Sequence, residues 1–305
     1  MIHEEIPPAL AGERLDRIVA LVTDASRSDA AALVAAGGVQ VDGEVITSGK
    51  QRLQLGQQID VDESKLPIAD PPAPDPTIQY TVVYDDDQVI VVDKPAGLVV
   101  HPGAGNLSGT LVNGLLARYP ELAGIGEPHR PGIVHRLDIG TSGLMVVARS
   151  VRAYHLLVYA LSQREVTRLY RTLVWGHLAN PTGVIDAPIG RDHRDPMRMA
   201  VVVDGKSART RYHVVSAYRT PAEASGLQCR LESGRTHQIR VHLAAIGHPV
   251  IGDGTYGGVR HAVIAPRPFL HAAELAFVHP GTGESLSFTS PLPDELVAVE
   301  SQFTT

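Results

Sequence analysis

In the stretch ERLDRIVALV, residues 13–22, apolar side chains fall at Leu15, Ile18, Val19 and Val22, a spacing that lines one face of a helix. SRSDAAALVAAGG follows and predicts a second helix, with Ser26 or Ser28 as its N-cap and Gly37 and Gly38 as its stop. VQVDGEVI reads as two short strands about an Asp-Gly turn, and GQQIDVD as a further strand. Two helices and a small sheet therefore make a first module over residues 1–65. KLPIADPPAPDPT then offers little to bury, and its prolines hold it extended, so residues 66–79 are read as a linker. Residues 80–305 form the second domain.

In that second domain strands dominate. QVIVVDKPAGLVVHPG is an apolar run broken by a Lys-Pro-Ala-Gly turn. GIVHRL and GLMVVARS, residues 132–137 and 143–150, read as strands on either side of a polar step. RLYRTLVWGHL, ARTRYHVVSAY and GLQCRLES alternate as strands do. AYHLLVYALSQREV reads as a helix, as does THQIRVHLAAIG, with Thr236 as N-cap and Gly247 just past its end. No internal repeat interrupts this order. The fold class expected is α+β, with a mostly antiparallel mixed sheet behind a small α/β module.

Composition adds bounds. The chain has 305 residues, 44% apolar and 20% charged, enough for two or three domains with real cores. Its one cysteine, Cys229, excludes an internal disulfide framework and fits a reducing cytoplasm. No apolar run approaches the roughly 18 residues that span a bilayer, and MIHEEIPPAL lacks the apolar core of a signal peptide. The net charge of -6 argues against nucleic acid until it is mapped along the chain. Residues 1–80 carry 6 basic and 13 acidic side chains, whereas residues 127–240 carry 17 basic and 9 acidic. That arginine-rich middle suits a polyanion bound along one face.

The polar step HRLD holds the most suggestive carboxylate. Asp138 precedes a Gly-Thr-Ser-Gly turn, where it either bonds to the backbone N–H of Gly140 or Thr141 or stands free as a reactive group. Arg136, two residues back, lies on the same face if the segment is a strand, and an arginine neighbour keeps a carboxylate ionised. Arg240 lies in an apolar helix, where it either snorkels or needs a buried partner. Tyr170 by itself reads as a core aromatic. His129, His135, His237, His242 and His248 invite a metal reading, but no H-E-x-x-H or cysteine pair supports it. GDGTYGG and PGAGNLSGT match no phosphate-binding loop, and no G-x-S-x-G makes Ser142 a hydrolase nucleophile.

HRLDIGTSGLMVVA (residues 135–148), REVTRLYRTLVWGH (164–177) and SGRTHQIRVHLAAIGHPVIGD (233–253) together resemble the RluA family of RNA pseudouridine synthases. The nearest resemblance is to the RluD-like type that modifies large-subunit ribosomal RNA. VVDKPAGLVVHPGAGN (91–106) and LHAAELAFVHP (270–280) support it, and the likeness runs from residue 80 to the end. The first module is similar to the ribosomal-S4-like RNA-binding domain that precedes many such enzymes, although its helix has few basic residues.

The resemblance implies an isomerase that turns uridine into its C-glycoside, with no cofactor and no metal. It implies that Asp138 is the catalytic aspartate and that Arg240 pairs with it. Tyr170 then stacks on the target base, and Arg136 enters the space the base leaves. It also puts Arg235, His237 and Gln238 among the RNA contacts, and Leu243 or its apolar neighbours in the pocket wall. The partner expected is RNA, 23S ribosomal RNA above transfer RNA, bound by a cytoplasmic monomer. A catalytically idle RNA-binding or ribosome assembly factor is the alternative from another class.

Overall fold

The computed structural model describes all residues except 24, 26, 66–70, 104–105, 193–194 and 196–197. The side chains of Ala9 and Ser28 are likewise outside the description, so the expected N-cap at Ser26 or Ser28 lies outside the described residues, as does the first part of the expected linker. The chain divides into two compact units, Met1–Pro71 with Pro102–Leu107, and Pro72–His101 with Ser108–Thr305.

The first unit holds β1 (Ile2–Glu5), α1 (Leu15–Val22), α2 (Arg27–Ala35), β2 (Val39–Val41), β3 (Glu44–Val45) and β4 (Gln58–Val61). Its four strands pair antiparallel in the order β1-β4-β2-β3. The predicted stripe on α1 buries Leu15, Ile18 and Val19 against Leu33 and Val34 of α2 and Val39, Ile59 and Val61 of the sheet. Gly37 ends α2 at φ +70°, and Gly38 follows so close to Leu33 that a Cβ there would lie 2.3 Å from its Cδ1. Asp42 and Gly43 both take positive φ, the geometry a two-residue hairpin needs to match the strand twist.

The second unit carries β5 (Thr81–Asp85), β6 (Val89–Lys94), α3 (Leu111–Arg118), β7 (Ser142–Ala148), α4 (Val151–Ser162) and β8 (Thr167–Trp175). β9 (Thr182–Asp186), β10 (Ile189–Arg191), β11 (Met199–Val201), β12 (Arg209–Tyr218) and β13 (Ala224–Leu231) follow. α5 (Gln238–Ala245), β14 (Leu270–Val278), β15 (Ser285–Thr289) and α6 (Asp294–Glu300) complete it. Nine strands form one sheet, ordered β5-β6-β7-β14-β8-β13-β12-β9, with β15 paired to β14, while β10 and β11 make a separate hairpin. Every pairing is antiparallel except β7 with β14, so the mixed, mostly antiparallel sheet expected for an α+β fold is present. β6, β7, β8, β13 and β14 supply the buried centre.

Two local expectations fail, and both failures shape the cleft. Residues 132–137 are not a strand: their ladder with β7 is reduced to one isolated bridge, between Ile133 and Val147. β6 already runs along one edge of β7, and β14 occupies only the start of the other. The segment crosses the rest of that second edge, and the His135 imidazole, through Nε2, accepts the hydrogen bond from Val146 N–H at 3.2 Å. One imidazole thus stands in for a missing strand partner. The second failure concerns α5, which begins at Gln238 behind His237 in the left-handed conformation (φ 56°, ψ 19°), with no cap from Thr236.

Candidate active site

A cleft of about 600 Å³ opens in the second unit and gathers segments far apart in sequence. Residues 133–138 and 141, Arg168 and Tyr170 of β8, and residues 233–239 line it. Five arginines line it (Arg130, Arg136, Arg164, Arg168, Arg235) against two carboxylates, Asp138 and Glu232. The excess suits a polyanion, and Glu232 is itself held by Arg164, Arg209 and Arg211.

Asp138 does not cap its own turn. The turn closes through Thr141 N–H donating to the Asp138 main-chain carbonyl at 3.0 Å, which leaves the carboxylate to Arg240, whose Nη1 donates to Oδ2 at 3.0 Å. Among the described residues no ion pair joins Arg136 to Asp138; Arg136 is exposed on the cleft wall, as a segment that is not a strand allows. Arg240 is only 7% exposed. Its Nε and Nη2 fork onto Asp253 at 2.6 and 2.9 Å, and the Tyr256 ring lies 5.1 Å from the guanidinium carbon. Burial works against the cation, and the hydrogen bonds and charges of Asp253 and Asp138 overcome it, raising its pKa above the ordinary value. The snorkelling alternative is excluded: Arg240 is a buried cation between two carboxylates, one fully enclosed and one facing the cleft.

Asp253 is the residue sequence reasoning missed. It is fully buried, and its Oδ1 also accepts from Thr255 N–H at 2.9 Å and Tyr256 N–H at 3.2 Å, so its orientation is fixed by the backbone that follows it. The Gly-rich GDGTYGG stretch was the available signal. A Cβ at Gly252 would lie 2.1 Å from Arg267 O, and one at Gly258 1.7 Å from Val250 O, so these glycines let backbones close tightly around Asp253. Tyr256 also bonds His237 Nδ1 through its hydroxyl at 2.8 Å, which holds the left-handed His237 at the cleft rim.

Tyr170 sits on β8 between Cys229 of β13 and Ala272 of β14. It is 4% exposed, lines the cleft, and its hydroxyl bonds no protein group among the described residues. Burial pushes its pKa up to about 12, with Arg168 opposing and Asp138 adding, so the phenol keeps its proton at neutral pH. Behind Asp138, Arg267 donates to Gly140 O at 3.0 Å, Leu270 O at 3.2 Å and Ser142 Oγ at 2.9 Å, bracing the turn from below. Lys94 is wholly buried and donates to Pro95 O and Leu98 O, both at 2.8 Å. Burial drives its pKa down to about 7, against the pull of Asp138.

The other expected contacts divide. Arg235 and His237 line the cleft, with Arg235 Nε donating to Ser207 O at 3.1 Å. Gln238 is 3% exposed, and its amide is saturated: Oε1 accepts from Ser233 Oγ and Arg235 N–H, and Nε2 donates to Arg209 O and Thr210 Oγ1. It builds the wall and has no group left for a ligand. Leu243 is in the core, and its helix neighbour Ile239, with Leu137 and Leu231, supplies apolar lining. The histidines are scattered over separate partners, His242 on Thr210 and Ala187, His248 on Trp175 O. Among the described residues no three His, Cys, Asp or Glu side chains converge as a metal site.

Residues 88–245 match the model of the RNA pseudouridylate synthase family, and residues 13–59 match the S4 domain. The chain belongs to the RNA pseudouridylate synthase family. An uncharacterized RNA pseudouridine synthase of Chloroflexus aurantiacus is 46% identical, the match covering 97% of this chain and 92% of that one. The ribosomal large subunit pseudouridine synthase D of Neisseria meningitidis serogroup A is 44% identical, over 95% of this chain and 79% of that one. Among solved structures, human RNA pseudouridylate synthase domain containing 1 superposes with a TM-score of 0.58 at 26% identity, covering 76% of this chain and 90% of that one. This pseudouridine synthase is thus an enzyme acting on RNA, with an S4 domain in front of the catalytic one.

Proposed function

We propose that this pseudouridine synthase isomerises specific uridines of large-subunit ribosomal RNA, with Asp138 as the catalytic residue. The carrying observation is the chain Asp253–Arg240–Asp138, which presents one carboxylate to the cleft from a braced turn. Relatives named ribosomal large subunit pseudouridine synthase D, 41–44% identical over most of their length, support the ribosomal substrate. A stacked uridine cannot reach Asp138 from within a helix, so it flips into the cleft at a cost of about a few kcal/mol. Exposed Arg136 fills the vacated position in the RNA, and the Tyr170 ring stacks on the flipped base. Arg235 and His237 contact the strand at the rim.

The rearrangement then proceeds on the ribose and needs no group from outside the chain and the RNA. Asp138 takes the proton from the 2′ carbon as the N1–C1′ bond breaks with its electron pair going to N1, leaving a glycal and the uracil anion in the cleft. The uracil turns, its carbon 5 bonds to C1′, and Asp138 returns the proton to the 2′ carbon. Loss of the carbon 5 proton and protonation of N1 complete an isomerisation in which atoms balance. A phenol at Tyr170 that keeps its proton is a donor for that last exchange. The protein acts as a cytoplasmic monomer. The test is tritium release from RNA labelled at uracil carbon 5: Asp138→Asn should abolish it, and wild-type release by that variant refutes the assignment. Mapping pseudouridines in cells with and without the gene tests the substrate. Loss of large-subunit sites supports the proposal, and loss confined to transfer RNA overturns it.

A further inference from the structure

Arg168 has no part in the chemistry above, yet it is a buried charge with no carboxylate partner among the described residues. It is 6% exposed, two residues before Tyr170 on the same face of β8, and lines the same cleft. Its Nε is buried without a hydrogen-bond partner, and neither Nη bonds or ion-pairs with any protein group among the described residues. The other cleft arginines differ. Arg130 is tied to Glu127 and Arg164 to Glu232, while Arg136 and Arg235 are exposed. Burial pushes the Arg168 pKa down, with no carboxylate to counter it. The wall also leaves room for it: Gly234 passes so near that a Cβ there would lie 3.0 Å from Arg168 Nη1.

A guanidinium buried without a counter-charge is costly, and a fold keeps one where an anion arrives later. A neutral acceptor such as a uracil carbonyl would satisfy one N–H but leave the charge unbalanced. In RNA the anion is the phosphodiester, whose two non-bridging oxygens match the guanidinium fork. A second unpartnered donor belongs to a residue that lines the same cleft. His135 Nε2 accepts from Val146, so the neutral ring carries its proton on Nδ1, which is buried and unpartnered. Given the pseudouridine synthase reading, on which this rests, we infer that Arg168 binds a phosphate flanking the flipped uridine and anchors that nucleotide beside Asp138.

The test uses a large-subunit ribosomal RNA stem-loop from which the full-length wild type releases tritium. That activity checks the parent reading by itself. Two further RNAs replace the phosphate 5′ or 3′ of the target uridine with a neutral methylphosphonate. One of them should lower wild-type kcat/KM about 10- to 100-fold, the range for a charge-assisted hydrogen bond. Arg168→Met should lose a similar factor on all-phosphate RNA and at most about threefold more on that modified RNA. Because Met removes an uncompensated buried charge, the variant should melt at or above the wild-type temperature. Indifference of the wild type to both modified RNAs overturns the assignment without any variant. So do losses that simply multiply, or a melting temperature that falls, which would make Arg168 a packing residue.

Discussion

Asp253→Asn removes one charge from a group that the structure keeps 0% exposed and never shows to the cleft. In the wild type Oδ2 accepts from Arg240 Nε, while Oδ1 accepts from Arg240 Nη2 and from the N–H groups of Thr255 and Tyr256. Asparagine can keep its oxygen on the three donors at Oδ1, which sets its amide N–H against Arg240 Nε–H, donor against donor. Breaking a buried pair from one side costs about 3–5 kcal/mol. The two backbone bonds that survive place this variant near the lower end, about 3 kcal/mol, or roughly 6–12 °C in melting temperature for a domain of this size. The guanidinium must turn away from the repulsion, carrying Nη1 off its 3.0 Å contact with Asp138. A displacement of about 1 Å in a reacting group costs on the order of 100-fold in rate. Tritium release should therefore show kcat down about 100-fold with KM within about threefold of wild type, because the RNA contacts lie elsewhere. Urea unfolding of the same preparation gives the stability loss. A variant that is destabilised yet keeps wild-type kcat refutes the reasoning, since Asp253 would then hold the fold without orienting Asp138.

Three other outcomes follow from the same geometry. His135, His237, His242 and His271 all have lowered pKa values, burial being the largest cause in each, and His135 is pushed down to about 3. Below about pH 6.5 the unfolded chain takes up protons that the folded one refuses, so stability falls as pH drops, by up to about 1.4 kcal/mol per pH unit for each such histidine; a flat urea midpoint from pH 7.5 to 5.5 contradicts this. Gly143 has φ +113°, and a Cβ there would lie 2.3 Å from Ala272 O, so Gly143→Ala should separate β7 from β14 and cost more than about 3 kcal/mol in urea unfolding. Arg136→Ala and Arg235→Ala should each weaken RNA binding and flatten the salt dependence of log K by about one unit, measured by titration from low to high salt; an unchanged slope means that the residue's charge does not help neutralise the RNA.

Much of this architecture was legible because period and composition agreed. The α1 stripe buried as the spacing required, and the alternating segments became β8, β12 and β13. The candidates Asp138, Tyr170 and Arg240 do meet in one region: Asp138 and Tyr170 line the same cleft, and Arg240 reaches it through its bond to Asp138. What stayed hidden was non-local. Nothing near Arg240 announces that its main partner lies 13 residues on, inside a glycine-rich loop whose glycines serve close packing. Residues 132–137 carry a strand pattern, but a pattern cannot say that the edge it would join is partly occupied already. Gln238 was expected to contact RNA through the family resemblance alone; its four hydrogen bonds to protein appear only once Arg209, Thr210, Ser233 and Arg235 are brought around it.

The cleft also shows why residue type alone cannot assign a role. Arg240, Arg168 and Arg136 carry the same charge within one site, and what separates them is what balances it. Arg240 is buried against two carboxylates, so its charge is spent inside the protein and it can only orient Asp138. Arg136 is exposed, its charge screened by water, so under the proposed function it adds to RNA attraction at little cost to the fold. Arg168 is as buried as Arg240 but has no carboxylate, so its charge is balanced only when a phosphate is in the cleft. Binding energy from that contact is available only in the complex, where the nucleotide has already left its helix, and it therefore offsets the cost of flipping. A chain with a net charge of -6 can in this way attract a polyanion at one place, because five arginines face two carboxylates in the cleft and one of the five, Arg168, is buried without a carboxylate partner among the described residues.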